Sequence, residues 1–300
     1  MNSEAKLDTI GLWSEVKLDI LRRYACEYSK IMTAQKVKIP QFRHWYIDGF
    51  AGAGTHISRE TGEEVLGSPK IALSVDPPFD HHVLVEMNPE RATLLRSLDG
   101  WNGRKVHVQE GNCNEVLLKL LPSIRRDRYQ RALCVLDPYN LNPDWDVVKL
   151  AGSLGTVEIF LNFMVMDLKM NVHVGDPKRV DEVQVARMNR FWGDESWRNA
   201  GYAPDPQMNL FEESGSVKLG SRVLVDAYKK RLKDVAGFAY VPDPLPMKSS
   251  TGAEIYYLFF ASPNATANKI FENIFGKYRK EPIPDRIRPK GKQRGEGSNG

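Results

Sequence analysis

The chain has 300 residues, of which 42% are hydrophobic and 27% charged, and its formal net charge is +4 at pH 7. This composition suits one large domain, or a core domain with a substantial insertion, and the mildly basic charge is compatible with nucleic acid. The longest apolar runs are too short to span a bilayer, and the scattered Cys26, Cys113 and Cys134 form no CxxC pair. We therefore expect no membrane span, disulfide framework or metal site. The start has no signal-peptide pattern, so we expect a reducing, cytoplasmic compartment.

Helical and strand patterns alternate along the first half of the chain. A long helix is predicted over 9–32, because Leu12, Val16 and Ile20 recur at helical spacing. Runs of strand residues then alternate with helical segments, which indicates a parallel, doubly wound sheet. The predicted strands are 44–49, 81–88, 105–112, 131–139 and 156–163, and the helices between them are 67–75, 89–98, 115–124 and 144–154.

The second half begins with a long stretch, about 164–237, that reads as a mostly helical insertion because it is too long for a simple crossover. We expect its aromatic residues to form the insertion's own core. A β-hairpin, 238–249 and 253–262, adds a sixth strand and an antiparallel seventh, and a last helix follows over 265–278. We assign 1–276 to one domain and expect 277–300, rich in Lys, Arg, Pro and Gly, to be a disordered basic tail. The tail is either a solvated terminus or a non-specific phosphate-binding segment.

The stretch HWYIDGFAGAG, His44 to Gly54, places small residues directly after the first strand of this sheet. Ligands of doubly wound sheets bind beyond the carboxyl ends of the strands, and a loop of small residues there lets the backbone approach a ligand closely. Gly49, Gly52 and Gly54 lack the spacing of dinucleotide binding, and no Lys-Ser/Thr pair follows for a P-loop. A loop that begins with Asp48 and has no lysine suits a zwitterionic amino-acid ligand such as S-adenosylmethionine, paired directly or through water. The alternative is a tight turn that packs a helix on a strand.

Further polar motifs follow the other predicted strands in order. Glu86 ends the second strand, where an acid accepts both ribose hydroxyls of a nucleotide or is simply a solvated loop residue. Asn112 follows the third strand and either hydrogen-bonds an adenine edge or caps the next helix. After the fourth strand, Asp137 and the carbonyl of Pro138 would hold a planar amine. The ring of Tyr139 would stack on a base, although a lone D-P-Y is also typical of a β-turn.

The ordered set of motifs resembles a class I S-adenosylmethionine-dependent methyltransferase, including the antiparallel seventh strand of that family. More narrowly, YIDGFAGAG, GSPKIAL, VLVEMNPERATLL, EGNCNEVL, LDPYNLNPDW and IFLNFMVMD resemble the three-Cys-motif partner protein family over roughly 12–275. Members are bacterial or archaeal and are paired with a neighbouring three-cysteine-motif protein similar to radical-SAM-type proteins. The resemblance implies a Rossmann-like fold, cofactor contacts by Asp48, Gly49, Phe50, Ala51, Gly52, Gly54, Glu86, Asn112 and Cys113, and substrate contacts by Asp137, Pro138 and Tyr139.

Two departures from the pattern bear on the substrate. Amino-group methyltransferases that act on adenine or cytosine usually carry Asp/Asn-Pro-Pro-Tyr/Phe, and this chain has DPYN with one proline missing. The family also favours Gly and Asp where Asn140 and Asn112 stand. The first departure weakens the assignment of a nucleobase amine, whereas Asn112 still offers hydrogen bonds to adenine.

The sequence therefore predicts methyl transfer from S-adenosylmethionine to a nitrogen of a nucleic-acid base. Catalysis would be mainly positioning, with Asp137 orienting the amine and stabilising its developing positive charge. The alternative is a cofactor-binding partner or regulatory protein of a three-Cys-motif protein, without turnover. An NAD-dependent enzyme is disfavoured by the glycine spacing.

Overall fold

A computed structural model describes residues 7–175, 179–204, 216–249 and 252–281 of the chain. No helix within these ranges is long and apolar enough to cross a membrane. The strands of the first half are β1 (Asp8–Ile10), β2 (Arg43–Asp48), β3 (Thr55–Ser58), β4 (Glu64–Leu66), β5 (His81–Glu86) and β6 (Val106–Glu110). Those of the second half are β7 (Gln130–Leu136), β8 (Val157–Phe163), β9 (Tyr202–Pro204), β10 (Ser216–Lys218), β11 (Leu245–Lys248) and β12 (Glu254–Ala261).

The helices follow the predicted alternation. Those of the first half are α1 (Leu12–Gln35), α2 (Ser68–Leu73), α3 (Pro89–Arg96), α4 (Cys113–Leu120) and α5 (Trp145–Leu154). Those of the second half are α6 (Val165–Asn171), α7 (Glu182–Trp192), α8 (Trp197–Gly201), α9 (Ser221–Asp234) and α10 (Ala265–Lys280).

A seven-stranded sheet organises the fold, in the order β6-β5-β2-β7-β8-β12-β11. Neighbouring strands from β6 to β8 are parallel, and β12 runs antiparallel to both β8 and β11. The mixed α/β class and the mostly parallel seven-stranded sheet with an antiparallel last strand are confirmed. The strand order reverses between β2 and β7, which makes the carboxyl ends of these two strands the switch point of the sheet.

Two cores form because side chains of a strand alternate between the faces of the sheet. One face buries Ile47 and Cys134 under α4, α5 and α9, and the other buries Tyr46 and Phe160 under α1 and α10. All residues of β8 are buried, as expected for a central strand covered on both faces. Burial of each large apolar side chain contributes about 1.5–3 kcal/mol, so these two layers hold the strand ends in place.

A small three-stranded sheet, β1-β3-β4, was not predicted from the sequence. Its strands have only three or four residues, too few for an alternating pattern to stand out. Asp8 pairs with His56 and Ile10 with Ser58, so these side chains share one face of the small sheet. Two of them bond to the main body, Ser58 to Glu15 of α1 at 2.7 Å and Asp8 to Tyr139 at 2.9 Å. The small sheet is therefore fastened over the carboxyl edge of the large one.

The predicted insertion, about 164–237, is mostly helical where the structure describes it, with α6 to α9 and a two-stranded sheet, β9-β10. Its aromatic residues do not form a core of their own. They join the cluster under the main sheet, because α9 is the crossover that leads from β8 towards β11 and packs against the sheet. The buried members are Phe191, Trp192, Trp197 and Tyr228, with Tyr202 partly buried against them.

The boundary predicted at Lys277 falls inside α10, which continues to Lys280. The helix extends because Tyr278 is 3% exposed, and its hydroxyl bonds the carboxylate of Asp19 on α1. The basic composition from Lys277 onwards was interpreted as the start of the tail, which was wrong. Lys277 and Lys280 lie on the exposed side of an amphipathic helix. Residues 282–300 lie outside the described ranges, and the prediction of a disordered tail stays a prediction there.

Candidate functional site

Three polar side chains lie at the carboxyl edge of the sheet on the face covered by α1. They are Asp48, the last residue of β2, Asp137, directly after β7, and Asn162 near the end of β8. Each follows a core residue of the α1 face by two positions, and side chains two apart in a strand point the same way. Those core residues are Tyr46, Val135 and Phe160.

Asp48 is completely buried beneath the glycine loop. Its carboxylate accepts hydrogen bonds from the Phe50 N–H and from the Tyr46 hydroxyl, both at 3.2 Å, and a further one from Ser68. Burial raises its pKa to about 6, since the low-dielectric interior disfavours the charged form. The side chain fixes the turn from strand to loop. Its pairing with an ammonium, directly or through water, stays a prediction.

The small residues of the loop have different roles. At Gly49 a Cβ would lie 2.7 Å from the Cys113 sulfur and 3.1 Å from Leu136, so this glycine lets α4 pack against β2. Gly52 has φ +66° and Gly54 φ +80°, backbone conformations that favour glycine. Among the described residues, no atom lies within 4 Å of a Cβ placed at Gly52, so the outer surface of the loop is open there. The tight-turn interpretation fits Gly49 and Cys113, and the ligand-facing one fits Gly52.

Phe50 and Ala51 hold the loop against the rest of the domain. Ala51 is buried, and its N–H donates to the Val85 carbonyl at 3.0 Å, which ties the loop to the neighbouring β5. The ring of Phe50 is partly buried against the core on the α4 face. Both were predicted to touch a cofactor, and the structure gives their side chains packing contacts.

Glu86 holds the same loop from β5. One carboxylate oxygen accepts the Gly52 N–H at 2.8 Å, and the other accepts the Asn88 N–H at 2.8 Å. Glu86 is neither fully buried nor a free loop acid. A carboxylate oxygen has two lone pairs, so each keeps one for a further donor such as a ribose hydroxyl.

Asn112 is the N-cap of α4, and its side-chain oxygen accepts the Asn114 N–H at 2.8 Å. The capping alternative from the sequence is therefore present in the structure. The residue is exposed, so its amide nitrogen faces solvent beside the neighbouring Cys113, which is buried and packs on Gly49. Burial raises the pKa of the Cys113 thiol well above its usual range, which makes it a packing residue rather than a nucleophile.

Asp137 is paired with a lysine from α1. The Lys17 ammonium lies 2.7 Å from one carboxylate oxygen and 2.6 Å from the other, and the Asn162 amide nitrogen lies 2.9 Å from the first. The side chains of Lys17 and Asp137 are 12% and 19% exposed. The same ammonium lies 5.3 Å from the centre of the Tyr256 ring. This pair could not be predicted from the sequence, because Lys17 occurs within an amphipathic helix where a lysine usually faces solvent.

Pro138 and Tyr139 turn the chain away from the edge. Pro138 is buried, whereas Tyr139 is 66% exposed and presents its ring to solvent, as base stacking requires. The Tyr139 hydroxyl donates to Asp8 of β1 at 2.9 Å, and Asp8 also pairs with Arg91 of α3 at 2.9 Å. Desolvation and the Asp8 charge raise the pKa of Tyr139 to about 12, so the hydroxyl stays protonated and donating.

His56 of β3 also lies close to the site, although no motif in the sequence pointed to it. The charges of Asp8, Lys17, Asp137 and Arg91 all act on its ring, and burial lowers its pKa, so it is neutral at pH 7. Among the residues that the structure describes, no partner reaches its Nδ1. Its position in an unpredicted strand explains why it was missed.

A serine, a histidine and an aspartate meet at the opposite, amino end of the sheet. Ser29 Oγ lies 2.8 Å from His44 Nε2, and His44 Nδ1 lies 2.9 Å from Asp80. Ser29 and His44 are both 0% exposed, and Ser29 donates its proton to the Pro77 carbonyl at 2.5 Å. A hydrolytic serine must reach a substrate carbonyl, so this arrangement is structural.

Comparison with known proteins adds little to this geometry. No family model and no curated protein matches the chain. A solved structure of a DUF519 protein from Legionella pneumophila str. Philadelphia 1 is 12% identical, covers 88% of this chain and 91% of its own, and has a TM-score of 0.46. This likeness is too distant to carry a functional argument. The resemblance to the three-Cys-motif partner family rests on the sequence motifs alone.

Proposed function

We propose that the protein transfers a methyl group from S-adenosylmethionine to a nitrogen of a nucleic-acid base, as a class I methyltransferase. The observation that supports this most is the strand order β6-β5-β2-β7-β8-β12-β11 with β12 antiparallel, which matches the order of that class. Asp48 and Asp137 end the two strands at the switch point, where ligands of such sheets bind. Tyr139 adds an exposed ring two residues after Asp137.

The residues of the loop after β2 fit a nucleoside cofactor. The open side of Gly52 lets the backbone approach a ligand closely, and Glu86 holds that loop while keeping lone pairs for ribose hydroxyls. Asn112 offers its amide nitrogen at the next strand end. S-adenosylmethionine, when bound, supplies a methyl group on a positively charged sulfur. The chain's own residues orient the acceptor nitrogen and exclude water around it.

Calorimetric titration with S-adenosylmethionine tests the cofactor part of this proposal. Gly52→Val should lower the affinity about tenfold or more, because a branched side chain fills the open surface of the loop. Gly62→Val is the matched control, since Gly62 has φ +73° and equally open surroundings but lies in the β3–β4 turn. The control carries the same backbone strain and should keep the wild-type affinity. Equal affinities for the two variants would contradict the assignment of the loop.

A cofactor-binding partner protein without turnover is the second candidate, and the Lys17–Asp137 pair favours it. An ammonium already neutralises the acid that the methyltransferase motif would present to its acceptor. Such a protein would bind S-adenosylmethionine but methylate neither DNA nor RNA. It would also bind a three-Cys-motif protein, and co-purification of the two, with and without S-adenosylhomocysteine, tests that partnership.

A further inference from the structure

Asn162 is 3% exposed, and its orientation in the site is fixed by its neighbours. Its amide nitrogen lies 2.9 Å from Asp137 and 3.3 Å from the sulfur of Met164. A carboxylate only accepts hydrogen bonds, so the amide atom that faces it must be the nitrogen. The amide oxygen therefore points the other way.

Within 7–175, 179–204, 216–249 and 252–281, no hydrogen-bond partner reaches Asn162 Oδ1. A buried acceptor without a partner is unfavourable and is rare in folded proteins. An unpartnered acceptor of fixed orientation beside the switch point is free to accept from a donor of a bound molecule.

Asp137, by contrast, already has its donors. Lys17 approaches both of its oxygens, and Asn162 donates to one of them. Lys17 thus neutralises Asp137, and Asp137 in turn holds the amide of Asn162. The three residues come from α1, the β7 end and β8, and within the described residues the amide oxygen is the acceptor atom of this group that no donor reaches.

We propose that Asn162 Oδ1 accepts a hydrogen bond from the exocyclic amino group of the substrate base, and that Lys17 and Asp137 are positioning residues for this amide. This inference rests on the proposed methyl-transfer function and names its acceptor as a neutral, amino-bearing base. An amide oxygen suits that role because it accepts a hydrogen bond without taking the proton. A base with a carbonyl in place of the amino group would bring its oxygen against the amide oxygen. Both atoms are acceptors, so no hydrogen bond would form between them.

Matched oligonucleotides test the proposal through binding alone. The probes are single-stranded thymidine 10-mers with one central dC or one central dU, which differ only in an amino group or a carbonyl. A second pair carries central dA or deoxyinosine. Fluorescence anisotropy, with and without saturating S-adenosylhomocysteine, should give about tenfold tighter binding of the amino-bearing member in at least one pair. No preference in either pair for the wild type would overturn the proposal.

Variants then show which residues the preference for the amino-bearing base depends on. Asn162→Leu removes the amide. Asn162→Ser, which keeps a short polar group, takes its place if the leucine variant does not fold. Both should bind the two members of a pair equally, while Lys17→Arg keeps the preference and Lys17→Met weakens it. An undiminished preference in the Asn162 variants would overturn the proposal. Failure of the wild type to bind S-adenosylhomocysteine would count against the proposed function instead, because the base preference is measured without cofactor as well.

Discussion

The ammonium of Lys17 and the carboxylate of Asp137 lie 2.6 Å apart, although 120 residues separate them in the chain. The contact joins the amino-terminal helix α1 to the switch point of the sheet. The ammonium neutralises the carboxylate at the end of this buried strand. Without it the fold would be less stable, because a buried charge without a partner is costly. Both candidate functions depend on what this pair does to Asp137.

Lys17→Met should lower the free energy of unfolding by about 3 kcal/mol, because it leaves a largely buried carboxylate without its cation. Adding Asp137→Asn removes the orphaned charge and should restore about half or more of the loss. Urea unfolding of the two single variants and the double variant measures the coupling. A loss in the double variant equal to the sum of the two single losses would show that the pair contributes nothing.

Asp48 should make stability depend on pH. Its folded-state pKa of about 6 lies above that of an unfolded aspartate, so its contribution is fully present below about pH 4 and is lost as pH rises through 6. Asp48→Asn cannot ionise. The stability of the wild type relative to this variant should therefore fall between pH 5 and pH 7, by about 1–3 kcal/mol. A difference that stays constant over this range would contradict the burial of the charge.

Gly49→Ala should destabilise the fold by about 1–3 kcal/mol, because the added Cβ meets the Cys113 sulfur at 2.7 Å. Cys113→Ala removes that sulfur and should recover much of the loss in the double variant. Gly52→Ala has no steric clash and carries only the backbone strain of a positive φ. Thermal unfolding of these variants tests the distinction, and equal losses for Gly49→Ala with and without Cys113→Ala would contradict it.

Tyr139→Phe should loosen β1 without changing the cofactor affinity. The variant keeps the aromatic ring and removes the hydroxyl that donates to Asp8. Amide hydrogen exchange of Asp8–Ile10, followed by mass spectrometry, should become faster. Tyr129→Phe, at another partly exposed tyrosine, is the control and should leave this exchange unchanged. Unchanged exchange in Tyr139→Phe would mean that the small sheet is held by its other contacts.

The basic tail should strengthen nucleic-acid binding electrostatically. Truncation after Glu281 keeps Tyr278 and the end of α10, whereas truncation after Gly276 removes a buried ring and should destabilise the protein. Each lost phosphate contact lowers the slope of log affinity against log salt by about 0.7 on single strands. Equal slopes for the full chain and the Glu281 truncation would leave the tail without a role in binding.

Long, strongly patterned elements were predictable from the sequence. The nearly all-apolar β7 and the alternating β6 identified the sheet, because a strand buried on both faces leaves a continuous apolar run and a strand buried on one face leaves an alternating pattern. Once the strands were identified, their ends could be predicted, and with them the positions of Asp48, Glu86 and Asp137. Their placement at one edge could be argued from topology alone.

The contacts that define the site were not predictable in the same way. Lys17 reaches Asp137 only because α1 packs across the carboxyl edge, and His56 lies there only because a short strand folds over it. The sequence offered both interpretations of Asn112 and could not rank them. Gly49 and Gly52 look alike in the sequence, and only the packing of α4 separates a structural glycine from an open one.

Transfer of a labelled methyl group is the direct test of the proposed methyltransferase activity. The purified protein is incubated with tritiated S-adenosylmethionine and either single-stranded DNA or RNA, and the modified nucleoside is identified by mass spectrometry. We expect N-methylated adenine or cytosine with the wild type, and loss of that product with Asn162→Leu. Binding of S-adenosylmethionine without any methylated product on either nucleic acid would contradict the methyltransferase and leave the cofactor-binding partner.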